Sequence, residues 1–307
     1  MASLVVVRAG MLTTVQDLGR WGQQASGVPV AGPMDMYSHR LANRRAGNSE
    51  DKAALEVTLI GPELKARGDL VCAVAGADFV VEVNGSRVDI DACFEVAHSA
   101  TLRFGVRRAG ARATLAVRGG FDVPATFGSR ATSVVSRMGP FGGRALAPGD
   151  ELPVGRSVPV GVRAGRPLSL PSGGARVRVI VGPQGGMFTN DAIAALSISR
   201  FFVTPQSNRM GYRLGGVLLR TSGPSEMLSA ATPVGSLQVS RSGQPILLMA
   251  DRQTTGGYPR IATVISADLP LAGQLAPGDW IEFAPCTRSD AIDALRQQEA
   301  ALTGASR

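Results

Sequence analysis

What most limits the fold of this chain is its punctuation. Short β-branched runs recur along its length, and glycine (38) and proline (19) cut them off too often for long helices. SLVVV, LVCAVAG, FVVEV, RVDI, TLRFGV and ATLAVRG read as strands in the first half. RVRVIVG, RFFVTP, LQVS, PILLMA, IATVIS and DWIEFAP repeat the pattern in the second. FVVEV-NG-SRVDI is the clearest hairpin, because Asn84-Gly85 supplies the positive φ angles of a type I′ turn. The expected fold is mainly β with a few short helices.

Helical signals are few. MDMYSHRLANRRAGN (residues 34–48) offers Asp35 as N-cap, Gly47-Asn48 as stop and an inner face built on Met36 and Leu41. TNDAIAALS (residues 189–197) is shorter. In SDAIDALRQQEAALTG, Ile292, Leu295 and Leu302 share a helical face that Glu299 interrupts, so a packed flap is expected rather than a dimer zipper. An internal echo bears on organisation: LAPGDELPV and LAPGDWIEF match at five consecutive positions, each beside a strand-rich half. GRPLSLPSGGA (residues 165–175) is the natural connector. Two β-rich lobes are expected, at 1–168 and 169–288, followed by a helix and tail at 289–307.

Composition removes several function classes. The net charge is +8, yet Lys52 and Lys65 are the only lysines and the arginines are dispersed. With aromatic residues at 5%, a stacking platform for nucleic acid is not expected. Dispersed arginine forks suit small carboxylates and phosphates better. Neither lysine stands in a Walker A, Schiff-base or biotin-carrying context, so any nucleotide or tethered cofactor has to bind by other means or arrive on a partner. No apolar run reaches the roughly 18 residues of a membrane span, and no signal peptide is evident, so a cytoplasmic protein is expected. Cys72, Cys93 and Cys286 lack metal or redox spacing, and His39 and His98 read as core-satisfied or solvated, so no metal site is expected.

Four stretches carry more polar residues than turns need: TTVQDLGRWG with GVPVAGPMD, RGGFDVPATFGSRATS, TPQSNRMGYRL and DRQTTGGYPR. In the third, Asn208, Arg209, Tyr212 and Arg213 flank Met210-Gly211, which reads as a tight turn or as an anion clamp. In the fourth, Thr254 to Gly257 is a candidate amide nest beside Arg252 and Arg260, with Asp251 as base or orienting acid. The alternative there is a long glycine loop with a surface ion pair.

These stretches, together with LEVTLIGPEL, AVRGGFDVP, VGPQ and ADLPLAGQLAPGD, resemble the allophanate hydrolase subunit 2 family, also known as 5-oxoprolinase C subunits or Kip-type antikinase regulators. The resemblance runs over residues 11–284. It implies cyclophilin-like barrel character and obligate work with an allophanate hydrolase subunit 1-type sister subunit. It further implies three roles: part of an ATP-dependent 5-oxoprolinase with a third subunit, part of a biotin-dependent carboxyltransferase fed by carboxybiotin on a partner, or a non-enzymatic antikinase regulator. On the first, a cyclic amide is opened to glutamate, with Asp251, Arg252 and Arg209 as catalytic groups. Asn208, Tyr212, Gln253, Thr255, Gly256, Gly257 and Tyr258 would then hold a small anionic or amide substrate. Asn208 stands where many free-standing members carry aspartate and resembles the urea carboxylase version, and Ser240 stands where proline is usual.

Overall fold

The computed structural model describes residues 2–157, 165–224 and 226–304. The chain is mainly β and divides into two compact units. One holds Met1–Arg20, Ala31–Leu170 and Glu299–Arg307; the other holds Trp21–Val30 and Pro171–Gln298. The break at 170 to 171 lies within the glycine- and proline-rich connector. A short stretch after Arg20 groups with the second unit, which no composition shift announces. The C-terminal helix runs from Arg288 to Thr303, and its residues are shared between the two units; residues 305–307 of the expected tail lie outside the described residues.

The first unit is a nine-stranded sheet organised by two long strands, Leu70–Val83 and Thr101–Val117, which pair antiparallel with shifts of register between Gly76 and Val81. Bulges of this kind bend a strand too long to stay flat. The Asn84-Gly85 turn forms as expected, with φ of 51° and 80°. Helix Met36–Ala46 lies on this sheet. Asp35 caps it by accepting from the Ser38 N–H at 2.8 Å, an interaction of about 1 kcal/mol. Gly47 ends it in the left-handed region. Its buried face (Tyr37, Leu41, Ala42 and Ala46) meets Ala54, Ala73, Ala75 and Ala116, small residues that let helix and sheet approach closely.

The second unit is a closed seven-stranded barrel. Around it run Gly174–Val181, Arg260–Val264, Ser236–Val239, Pro245–Leu248, Gly211–Gly215, Arg200–Val203 and Trp280–Pro285; the last pairs parallel with the first and closes the ring. Closure leaves no free sheet edge. Inside, Val177, Val179, Phe201, Leu214, Leu237, Leu247, Ile281 and Phe283 are buried, and the rings of Phe201 and Phe283 stand 5.7 Å apart. Helix Asn190–Ile198 is N-capped by Thr189. The LAPGD echo has a physical basis, because both copies make the same turn. Asp150 accepts from the Ala147 N–H at 2.7 Å, and Asp279 accepts from the Ala276 N–H at 2.8 Å. Each turn feeds a strand, Glu151–Pro153 or Trp280–Pro285.

Candidate functional site

Alternation along three neighbouring barrel strands creates the site. Tyr212, Leu214, Leu237, Val239 and Leu247 point into the barrel and are at most 1% exposed. Their neighbours Gly211, Arg213, Gln238, Ile246 and Leu248 therefore line the outer face. Pairing sets them in rows: Arg213 opposite Ile246 and Ile246 opposite Gln238, with Gly211 opposite Leu248 one row along. Gly211 is demanded by space, since a Cβ there would meet the Leu247 carbonyl oxygen at 2.9 Å. At this face lies a cavity of about 220 Å3, which Gln206, Asn208, Met210, Gln253 and Tyr258 also line.

A buried ion pair holds the two loops together. Arg209 donates through Nε and Nη2 to the two carboxylate oxygens of Asp251, both at 3.1 Å, and the side chains are 5% and 1% exposed. The backbones join as well: the Asp251 N–H donates to the Arg209 carbonyl and the Met249 N–H to the Met210 carbonyl, each at 2.9 Å. Arg252 is buried too. Its Nε donates to the Thr232 carbonyl at 2.8 Å, and among the described residues no carboxylate pairs with it. Burial pulls its guanidinium below the usual arginine range.

The cavity wall is rich in amides. Asn208 accepts from the Met210 N–H at 2.8 Å, a local turn that fixes its side chain. Gln238, 1% exposed, accepts from Gln253 Nε2 and donates to the Tyr258 carbonyl, both at 3.4 Å. Apart from Arg213, the lining residues are uncharged, and none is histidine, cysteine or lysine. Such a wall can bind and orient a small polar molecule, and it offers no strong base.

Of the residues named from sequence, Asn208, Gln253 and Tyr258 meet in this cavity. Asp251, Arg209 and Arg252 are not among the residues of its wall; all three are buried, Arg209 against Asp251 and Arg252 on the Thr232 carbonyl. Tyr212 faces the barrel interior, where its hydroxyl donates to the Leu275 carbonyl at 3.3 Å, so it does not contribute to the cavity. The reason is that MGYRL, read as a polar turn, is the barrel strand Gly211–Gly215, and strand alternation turns Tyr212 inward. Nor is the expected amide nest present. Thr255–Gly256 is an extended ribbon paired with Ala230–Ala231, and neither Gly256 nor Gly257 has the positive φ that an αR-αL nest requires. Sequence reasoning missed Gln206, Gln238, Ile246 and Leu248 and left Arg213 without a committed role. One signal was available: Gln238 is a lone amide at an outward position of LQVS, between two inward apolar residues.

A larger cavity of about 810 Å3 lies in the first unit, and some of its charged side chains are engaged by the fold. Arg130 pairs with Asp122 at 3.0 Å and Arg118 donates to the Ala46 carbonyl. The remaining polar stretches of that unit serve each other. Asp17 accepts from the Gly19 N–H (2.9 Å), Ser129 Oγ (2.6 Å) and the Arg130 N–H (2.5 Å), and so fastens GSRATS to TTVQDLGR. His39 is buried against Asn43, and desolvation pushes its imidazole down to about 4. His98 is exposed and accepts from the Gly68 N–H.

Comparison with known proteins agrees with this architecture. The 5-oxoprolinase C subunit of Escherichia coli (strain K12) is 38% identical over 96% of this chain and 95% of its own length. The urea amidolyase of Saccharomyces cerevisiae is 31% identical over 98% of this chain, which spans 17% of that protein. In the crystal structure of the K. lactis urea amidolyase, a region covering 98% of this chain superposes with a TM-score of 0.94 at 32% identity, and the chain spans 20% of that structure. Residues 26–285 match the family described as carboxyltransferase domain, subdomain A and B, and the chain belongs to that family.

Proposed function

We propose that this chain is a subunit of a heteromeric, ATP-dependent 5-oxoprolinase-like enzyme that opens a cyclic amide to glutamate alongside an allophanate hydrolase subunit 1-type partner and a third subunit. The observation carrying this reading is the amide-lined cavity over Ile246 and Leu248. A lactam ring presents N–H and C=O edges to such amides and methylenes to such a floor. The similarity to the E. coli 5-oxoprolinase C subunit over nearly the full length of both chains supports it.

The chain's share of the work is binding and orientation. Gln206, Asn208, Gln253 and Tyr258 surround the ring, while the Arg209–Asp251 pair holds the two loops at a fixed spacing. That gives Arg209, Asp251 and Arg252 a positioning role. A cavity of about 220 Å3 is smaller than the roughly 300–1,000 Å3 of drug-sized ligand pockets and has no room for a nucleotide. ATP, which would supply activation of the poorly electrophilic lactam carbonyl, is assigned to the partners, as is any strong base. The chain, purified together with its partner subunits and supplied with ATP and 5-oxoproline, is expected to release glutamate; a complete complex that releases none would end this reading.

A second reading is favoured by the superposition on the urea amidolyase structure: a biotin-dependent carboxyltransferase half whose cavity holds a urea-like amide. Loss of the assembled activity on adding avidin would select it, and insensitivity to avidin would exclude it.

A further inference from the structure

The barrel cavity has two chemically different ends. At one end stands Arg213, exposed, with its backbone N–H donating to Ser207 Oγ at 3.1 Å and its carbonyl accepting from the Thr204 N–H at 3.0 Å. The backbone is thus anchored on both sides, while among the described residues no carboxylate pairs with its guanidinium. This contrasts with Arg209, four residues earlier, whose guanidinium is paired with Asp251. At the other end stands Gln253. One N–H of its amide goes to Gln238 Oε1, which leaves a second N–H and the carbonyl oxygen for a ligand. Arg213, Ile246 and Gln238 occupy one row across three adjacent strands, so Gln238, which accepts from the Gln253 amide, is about 10 Å from Arg213 at the backbone.

This arrangement selects a ligand class. A primary carboxamide offers a donor and an acceptor side by side, and its complement is an amide whose N–H and C=O lie on the same side. Rings and ureas have that cis geometry; ordinary open-chain secondary amides are trans and cannot make both bonds. An unpaired guanidinium takes a carboxylate in two-point geometry. Between the poles, Ile246 and Leu248 provide an apolar floor for the atoms that join the two groups.

Resting on the proposed function above, we infer that Arg213 binds the carboxylate of a compact cis-amide acid and Gln253 reads its amide edge. Gln238, buried beneath, is the positioning residue that sets the Gln253 amide plane through its own contact with the Tyr258 carbonyl.

The test uses the chain purified with its partner subunits. Equilibrium binding of 5-oxoproline, of 2-pyrrolidone (the same ring without the carboxylate) and of proline (the acid without the lactam carbonyl) is measured by calorimetry or ligand-observed NMR. Turnover is recorded separately. The Arg213→Gln variant is expected to weaken 5-oxoproline by about 10- to 100-fold, the worth of a charge-assisted bidentate bond, and to leave 2-pyrrolidone unchanged. Gln253→Leu is expected to weaken 5-oxoproline and 2-pyrrolidone together, and Gln238→Leu is expected to do the same less severely, with rescue by Gln238→Asn only if the contact to Gln253 is restored. An Arg213→Gln complex that melts at the wild-type temperature and binds 5-oxoproline as tightly as wild type overturns the inference and leaves the enzyme reading standing. Two-pole binding without ATP-dependent turnover supports the inference and overturns the enzyme reading. Absence of 5-oxoproline binding to the wild-type complex overturns the inference.

Discussion

The polar stretches around Asp17 and around Asn208 look alike as sequence and end differently as structure. Both combine Thr, Gln, Asp or Asn, Arg and Gly in a ten-residue window. Around Asp17 the carboxylate is consumed by three donors from its own fold, and the Arg20 guanidinium donates to the Thr126 and Ala131 carbonyls. Around Asn208 one acid and one arginine likewise satisfy each other, while Gln206, Arg213 and part of Gln253 keep bonding capacity over a cavity. Polar density alone therefore does not mark a site. What marks it is capacity that the fold leaves unused beside a space large enough for a guest.

The sharpest way to break this comparison is to remove a group that the fold does use. Asp251→Ala leaves the Arg209 charge buried without its partner, and a loss of about 3–5 kcal/mol in unfolding free energy is expected from denaturant titration. If instead stability is unchanged and only activity falls, Asp251 is a functional acid and the distinction drawn between the two regions is wrong.

The His39 imidazole probes the Asp17 side of the comparison through pH. Its folded-state value of about 4 lies below the 6.5 of an unperturbed imidazole, so the unfolded chain takes up the proton first. Its contribution is complete above about pH 6.5 and is lost as pH falls towards 4, an effect on the order of 3 kcal/mol. A His39→Gln variant should show a correspondingly flatter stability profile between pH 7 and 4. An identical profile would contradict the burial argument.

Asp17→Ala should cost about 2 kcal/mol by freeing the Ser129 and Arg130 donors, and should increase protease cleavage near residues 125–133. Cavity residues should behave in the opposite way. Arg213→Gln is expected to change stability by less than about 0.5 kcal/mol, as for a surface substitution that breaks no internal bond. A larger loss, seen as a shifted melting temperature, would show that Arg213 belongs to the fold after all.

Much of this fold was legible in the sequence because its signals are local. The Asn84-Gly85 turn, the Asp35 cap and six of the seven barrel strands follow from residue type and alternation within a few positions. The seventh, Gly211–Gly215, was hidden because its two glycines and Arg213 outweigh Tyr212 and Leu214 in any local reading; only barrel closure makes it a strand. The site was partly legible for the same reason. Asn208, Gln253 and Tyr258 sit in loops whose composition already exceeded turn requirements. Gln238, Ile246 and Leu248 lie within strands, and their membership depends on cross-strand register. The roles given to Asp251 and Arg209 depended on whether their charges face a ligand or each other, and no spacing of 42 residues encodes that contact.

On the function proposed above, the small molecule sits on the outer face of the barrel, over Ile246 and Leu248. Ile246→Trp fills that space from an outward position without entering the barrel core. With the complete complex, ATP and 5-oxoproline, the variant should melt near the wild-type temperature and release glutamate at least 100-fold more slowly, a barrier increase of about 2.7 kcal/mol. A well-folded Ile246→Trp complex that turns over at the wild-type rate would place the substrate elsewhere and contradict the account.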